Sequence, residues 1–234
     1  MKKKALIITA LTVLLVAGGT LAYVEDYYHA DEAAQAALVS DQTVSIEKMD
    51  YGWFFDGPSD EKALIFYPGG KVEETAYAPL LHMLAENGID AALVSMPARL
   101  AVLAGSKGEK VLEQYEYPHW LIAGHSLGGV MAASVAAAHD QIEALVLLAS
   151  YSTRDLGDLL TILIYGSRDG VLNMKKYHEN RSMAPNSIEH VIEGGNHAGF
   201  GSYGKQKNDG EASISSAEQI AETVSVILQA VGSR

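Results

Sequence analysis

Gly124-His125-Ser126-Leu127-Gly128 sets a serine between two glycines in a G-x-S-x-G pattern. The pattern alone is common, and its setting gives it weight. Residues 120–123 form a short apolar run of strand type, and residues 127–139 have helical character. A serine on a sharp strand-to-helix turn is held in a strained backbone with its Oγ exposed. Small neighbours are needed there because other backbone passes close by. The helix behind the turn aims free N–H groups at developing negative charge. A serine hydroxyl is a weak nucleophile until a base takes its proton and a third group orients that base. Both residue types follow later apolar runs: residues 161–165 lead into Gly166-Ser167-Arg168-Asp169-Gly170, and residues 188–192 into Glu193-Gly194-Gly195-Asn196-His197. The expected set is Ser126 as nucleophile, His197 as base and Asp169 as its orienting acid, a set suited to acyl-group chemistry. The anion formed on attack needs two donors. Leu127 N–H is the first. The turn after residues 63–67, Pro68-Gly69-Gly70-Lys71, supplies the second from Gly70 or Lys71.

Other candidates carry less. His125, beside the nucleophile, is expected to point away and to be structural. Glu73 and Glu74 are expected to open a helix, where acids favour the positive dipole end; Glu73 touching the pocket is the alternative. Asp155 and Asp158 precede residues 161–165 and are the second choice of acid. His190 falls within a strand, packed or exposed. His82, His119, His139 and His178 show no metal-ligand spacing. There is no phosphate-binding loop, no dinucleotide fingerprint and no calcium-loop continuation after Asp169-Gly170. Cysteine is absent, which excludes disulfides, thiolate nucleophiles and Cys-rich metal sites. Neither cofactor nor metal is expected.

These residues need a scaffold that brings strand ends together, and the chain supplies its signals. Residues 44–49 and 52–55 read as a hairpin or edge strands. Strands are expected at 63–67, 91–95, 120–123, 142–148, 161–165 and 188–192, and helices at 109–115, 127–139 and 174–181. Tyr77, Leu80, Leu81 and Leu84 mark one further helix, closed by Asn87-Gly88, and Ile220, Val224, Ile227, Leu228 and Val231 mark another. Ser215-x-x-Glu218 or Ser216-x-x-Gln219 caps the last of these. Residues 98–108 have no clear pattern. Short apolar strands alternating with helices predict an α/β fold: a three-layer sandwich with a mostly parallel central sheet.

The chain of 234 residues is 48% apolar and 20% charged, which suits one or two globular domains. Its net charge is −12. Three of its 17 basic residues are Lys2, Lys3 and Lys4, and all 29 acidic residues lie from Glu25 onward, so the body carries 14 − 29 = −15. Such a surface repels polyphosphates, and no nucleic-acid partner is expected. Residues 5–24 are uncharged and mostly apolar. Twenty helical residues span about 30 Å, the thickness of a hydrocarbon core. The lysines in front argue for a cytoplasmic N-terminus and an exported body. Residues 1–24 are thus expected to be a transmembrane anchor; a signal peptide cleaved near Ala22, with a secreted product, and a buried helix are the other readings. Residues 25–42 are expected as a polar stalk or short helix, and residues 43–234 as the catalytic domain.

On Tyr67-Pro68-Gly69-Gly70-Lys71-Val72-Glu73, Ala76-Tyr77-Ala78-Pro79-Leu80, Met96-Pro97, Gly124-His125-Ser126-Leu127-Gly128-Gly129, Gly166-x-x-Asp169 and Gly194-Gly195-Asn196-His197-Ala198-Gly199-Phe200-Gly201, continued by Tyr203-Gly204 and Asp209-Gly210, the chain resembles the α/β-hydrolase superfamily over residues 45–232. More narrowly it looks like small bacterial hydrolases near the dienelactone-hydrolase and esterase branches. The resemblance implies the roles of Ser126, Asp169 and His197 given above. Two departures matter. Pro68 stands where many lipases have histidine. Only twelve residues, 149–160, occupy the place where large caps enter this superfamily. An α/β-hydrolase fold without a large cap, and an open site, are therefore expected. The expected activity is hydrolysis of carboxylic esters on a small-molecule or lipid-like acyl substrate, through an acyl-enzyme. The alternatives are amide or peptide hydrolysis, acyl transfer on the same triad, or a non-catalytic surface binding protein.

Overall fold

The computed structural model describes residues 25–99 and 105–232, together with Thr12 and Gly18. The expected anchor, residues 1–24, lies outside the described residues but for those two. Among the described residues no helix is long and apolar enough to cross a membrane.

In chain order the elements are α1 (Glu32–Ala36), β1 (Ser45–Met49), β2 (Gly52–Asp56), β3 (Lys62–Tyr67), α2 (Ala78–Glu86), β4 (Ile89–Val94), α3 (Glu109–Gln114), β5 (His119–His125), α4 (Leu127–Ala136), β6 (Ile142–Leu148), β7 (Leu160–Gly166), α5 (Met174–Glu179), β8 (Ser187–Ile192) and α6 (Ser216–Gly232). Eight strands form one sheet in the order β1-β2-β4-β3-β5-β6-β7-β8. The expected hairpin is present: β1 and β2 pair antiparallel, and β2 pairs antiparallel with β4. From β4 onward every pairing is parallel. Parallel strands pointing the same way leave all their C-terminal ends on one edge of the sheet. Loops from well-separated parts of the chain therefore meet there.

The side-chain alternation of the strands divides the interior into two layers. On β3, Leu64 and Phe66 face the layer that holds Leu80 and Leu84 of α2 and Ile220, Val224 and Ile227 of α6. Ala63, Ile65 and Tyr67 face the layer that holds Ala132 and Ala133 of α4 and Tyr177 of α5. Strands covered on both faces explain why these segments read as continuous apolar runs rather than as alternating ones. Asp90 is the buried acid among these strands. It lies on β4, accepts hydrogen bonds from Gly57 N–H (2.7 Å) and Tyr117 O–H (2.5 Å), and burial raises its pKa above the usual carboxylate value.

Two expectations are refined. The helix α6 is capped by Ser215 and Glu218: Glu218 N–H donates to Ser215 Oγ (3.2 Å) and Ser215 N–H to Glu218 Oε2 (2.8 Å). Gln219 is thereby free for a different task described below. Residues 25–42 contain the short helix α1 but do not project as a stalk. Ala34 is fully buried, Asp31 N–H donates to Ser202 O (2.9 Å), and Tyr28 forms a parallel bridge with Val72. Residues 149–160 carry no helix, so no cap enters between β6 and β7.

Candidate active site

Ser126 is the single residue between β5 and α4, with φ 53° and ψ −121°. A left-handed backbone at a residue with a Cβ costs about 1–3 kcal/mol and persists only where the surroundings enforce it. Two hydrogen bonds do so: Ser126 N–H donates to Leu148 O (2.9 Å), and Ser150 Oγ–H donates to Ser126 O (2.7 Å). The flanking glycines have a steric reason. A Cβ on Gly124 would stand 2.5 Å from the carbonyl carbon of Gly128. One on Gly128 would stand 2.3 Å from both Tyr67 O and Pro68 O. The first turn of α4 thus lies against the backbone of the loop after β3, closer than any other residue type allows.

Asp169 follows β7 and His197 follows β8. His197 Nδ1 lies 2.9 Å from Asp169 Oδ2, with both side chains almost fully buried. The other carboxylate oxygen, Oδ1, accepts from Val171 N–H (2.8 Å) and Leu172 N–H (2.7 Å). A carboxylate taking three hydrogen bonds is an acceptor throughout, so His197 donates from Nδ1 and holds its lone pair on Nε2. Asp169, and neither Asp155 nor Asp158, meets the histidine; Asp155 Oδ1 instead accepts from Gly157 N–H in its own loop. The Ser126 hydroxyl forms no hydrogen bond among the described residues.

Two residues not expected at the site, Asp209 and Gln219, brace this arrangement. Asp209 Oδ1 accepts from His197 N–H (3.2 Å), Gly170 N–H (3.0 Å) and Gly210 N–H (2.8 Å), and its Oδ2 accepts from Ala198 N–H (2.8 Å). One carboxylate thus ties the acid loop to the base loop. Gln219, buried on α6, grips the backbone of Asn196: its Oε1 accepts from Asn196 N–H (3.0 Å) and its Nε2 donates to Asn196 O (2.8 Å). A polar residue on the buried face of an apolar helix was the legible sign of this second brace.

The choice between Gly70 and Lys71 narrows to Gly70. Lys71 N–H already donates to Arg99 O (3.0 Å), and Gly69 N–H to Tyr77 Oη (3.0 Å). Gly70 N–H and Leu127 N–H have no acceptor among the described residues. The loop is held from outside by the N-terminal segment. Tyr28 N–H donates to Lys71 O (2.8 Å), Glu73 N–H to Tyr28 O (2.9 Å), and Ala30 N–H to Glu73 Oε2 (3.1 Å). Glu73 therefore serves this contact rather than the pocket. Glu74 opens a short 3-10 turn, and its Oε1 accepts from Ser95 Oγ (2.7 Å).

His125 is structural, as expected, but it does not turn away from the site. It is 1% exposed, and its ring lies 4.5 Å from that of His197. Tyr77 Oη accepts from Gly69 N–H and lies 2.7 Å from His125 Nδ1. Tyr77 therefore donates to Nδ1, and His125 carries its proton on Nε2, a buried atom with no hydrogen-bond partner. Burial first, and the neighbouring His197 second, push the His125 pKa well below its usual value. Tyr77, His197 and Phe200 are the rings packed around it. In the unfolded chain His125 takes up its proton near pH 6.5; in the folded chain it does so only at lower pH. Between those two values the unfolded state holds more protons. The His125 contribution to stability is therefore complete above about pH 6.5 and is lost as the pH falls below it. Urea midpoints at pH 7.5 and pH 5 should fall further for the native protein than for His125→Asn. An equal fall in both would remove His125 as the source.

Three histidines pair with acids away from these loops: His190 with Glu222 (2.7 Å), His119 with Glu143 (2.9 Å) and His139 with Glu109 (3.2 Å). His178 lies against the Tyr177 ring, and His29 Nδ1 lies 3.5 Å from Glu73 Oε2. His82 departs from the expectation for it. Its Nδ1 bonds Ala37 O (3.0 Å), while Nε2 lies 3.1 Å from Asp41 Oδ2 and 3.8 Å from Glu86 Oε1. Among the described residues Asp41, His82 and Glu86 are the one group of side chains spaced to share a cation. They tie the loop after α1 to α2 and take no part in the Ser126 region.

A family model described as "Alpha/beta hydrolase family" matches residues 63–221, about two thirds of the chain, and that stretch contains Ser126, Asp169 and His197. Solved structures share the fold at low identity. TT1662 from Thermus thermophilus is 13% identical, with 82% of this chain and 100% of that chain covered and a TM-score of 0.60. Est1E from Butyrivibrio proteoclasticus is 14% identical, with coverage of 82% and 100% and a TM-score of 0.57. An esterase from Pyrobaculum calidifontis is 16% identical, with coverage of 86% and 88% and a TM-score of 0.57. No curated protein matches the chain.

Proposed function

Because the chain belongs to the alpha/beta hydrolase family, we propose that it is a serine hydrolase that cleaves carboxylic esters through Ser126, His197 and Asp169. The observation that carries this reading is the buried His197–Asp169 pair at 2.9 Å, set on the same sheet edge as the strained Ser126. On substrate docking, Ser126 Oγ–H turns to His197 Nε2. The oxygen attacks the acyl carbon as Nε2 takes the proton, and Asp169 steadies the imidazolium that results. Negative charge on the former carbonyl oxygen is met by the N–H groups of Leu127 and Gly70. His197 passes the proton to the departing alcohol, leaving an acyl-enzyme. Water, deprotonated by the same nitrogen, releases the acid and restores Ser126.

The Pyrobaculum calidifontis relative is an esterase, which favours an ester over an amide. The short 149–160 connection, without a helix, favours an open acyl site. A panel of aryl esters, lactones, acylglycerols and peptide anilides tests the reading. Turnover of esters with little or none of anilides is the expected result. Anilide turnover equal to that of esters would assign a peptidase instead, and a folded protein inert to the whole panel would leave a binding protein. We further propose that residues 5–24 anchor the protein in the cell membrane, with the hydrolase domain on the extracytoplasmic side.

A further inference from the structure

We propose that the active-site edge of the domain is held against the bilayer, and that its substrate is an acyl ester resident in that membrane. This rests on both proposals of the preceding subsection. What adds to them is where the chain enters the domain. Two residues after the apolar run ends at Val24, the Asp26 carboxylate meets Lys71 Nζ at 2.8 Å. Two residues later Tyr28 is bonded into the backbone of Lys71 and Glu73. Lys71 is the neighbour of Gly70, the proposed oxyanion donor. Four residues reach at most about 14 Å, so the end of the apolar run lies within that distance of Tyr28 and of the loop it grips. A flexible stalk of 18 residues would have let the domain tumble far from the surface; this segment is instead clamped at the mouth of the site.

The contacts spread over both halves of the catalytic edge. On the oxyanion side they are those to Lys71 and Glu73. On the base side, Asp31 N–H donates to Ser202 O (2.9 Å), Lys207 N–H donates to Tyr28 Oη (3.0 Å), and the Tyr28 and Tyr203 rings lie 5.7 Å apart. The residue types fit an interface. Tyr23 closes the apolar run and Tyr27 and Tyr28 follow it, as aromatic residues do at the headgroup level. Side chains fasten the segment as well: Lys71 pairs with Asp26, and the Arg99 guanidinium stacks 3.2 Å over Tyr27. The ester carbonyl of a membrane lipid sits at headgroup depth, so the chemical class that fits is a glycerolipid-type acyl ester taken from the membrane.

The test inserts about 20 Gly and Ser residues between Val24 and Glu25, a tether of roughly 25 Å root-mean-square reach. The full chain, with and without the insertion, is reconstituted in phosphatidylcholine–phosphatidylglycerol vesicles doped with a fluorogenic long-chain diacylglycerol. A water-soluble aryl acetate is assayed on the same samples. Both proteins are expected to float with the vesicles and to turn over the aryl acetate equally, while the insertion lowers hydrolysis of the vesicle-borne ester about tenfold through a lower effective concentration at the surface. Equal hydrolysis of the vesicle-borne ester by both proteins overturns the orientation, and failure to float overturns the anchor. Loss of aryl acetate turnover in both proteins overturns the esterase reading itself.

Discussion

Ser126→Ala is expected to lower kcat for ester hydrolysis by about 10⁴-fold or more, a loss of the order seen when a hydroxyl nucleophile is removed from a triad, and to leave the melting temperature close to that of the native protein. The size of the loss follows from the chemistry. Without Oγ there is no acyl-enzyme, and His197 can only activate water, which the site does not position. The small effect on folding follows from the structure: the Ser126 side chain forms no hydrogen bond among the described residues, while the backbone bonds to Leu148 and Ser150 do not involve Oγ. Fluorophosphonate labelling followed by mass measurement reads the result directly. The native protein should take one label and the variant none. Labelling of the variant at another residue would assign the nucleophile elsewhere.

Asp209→Ala should reduce both stability and turnover. Its carboxylate is the shared acceptor for His197, Ala198, Gly170 and Gly210 N–H groups. Some of these donors recover water, so the expected cost is about 2–3 kcal/mol, seen as a melting temperature lower by roughly 5–10 °C. Turnover is expected to fall about 10- to 100-fold, because misplacing a base by about an ångström is enough for that. All of the hydrogen bonds to the Asp209 carboxylate come from backbone N–H groups, so its part is to position the loops of Asp169 and His197. A fall in kcat with little change in KM marks that role. A variant with native kcat and only a lower melting temperature would reduce Asp209 to a structural part.

Much of the site was legible because its residues lie at places where local sequence and chemistry coincide. Gly124 and Gly128 announce a close backbone approach, and Ser126 between them announces a turn. Asp169 follows an apolar run that reads as a buried strand, and His197 follows a shorter strand, β8, that lies at the sheet edge with Ile188 and Val191 exposed. Strand continuity in a parallel sheet then requires the three loops to share one edge, so their order along the chain was enough to group them. Residues 25–42 were less legible. Their polar, Ala-rich composition matches a stalk as well as a docked segment, since the contacts that decide between them are backbone bonds to Lys71, Glu73 and Ser202, and backbone bonds leave no trace in residue type. Asp41, His82 and Glu86 escaped for a related reason: the i, i+4 pair of His82 and Glu86 lies on one helix, but Asp41 reaches it only through the docking of α1.

By itself, then, the chain determined the layer architecture, the leanness of the connection between β6 and β7, and which residues to propose as the triad, Ser126, Asp169 and His197, because each of these is set by local periodicity, turn chemistry or length. Only the tertiary structure decided which amide is left to meet an oxyanion, since Lys71 N–H is withdrawn by Arg99 O, a partner 28 positions away. It alone turned His125 from a neighbour in sequence into a neutral wedge beside His197, held by Tyr77, and made Asp209 and Gln219 braces of the base loop. It also carried the N-terminal segment to the mouth of the site. The physical reason is common to all four: hydrogen bonds between distant segments form wherever folding leaves a donor facing an acceptor, and that pairing is a property of three-dimensional placement rather than of any residue's own preference.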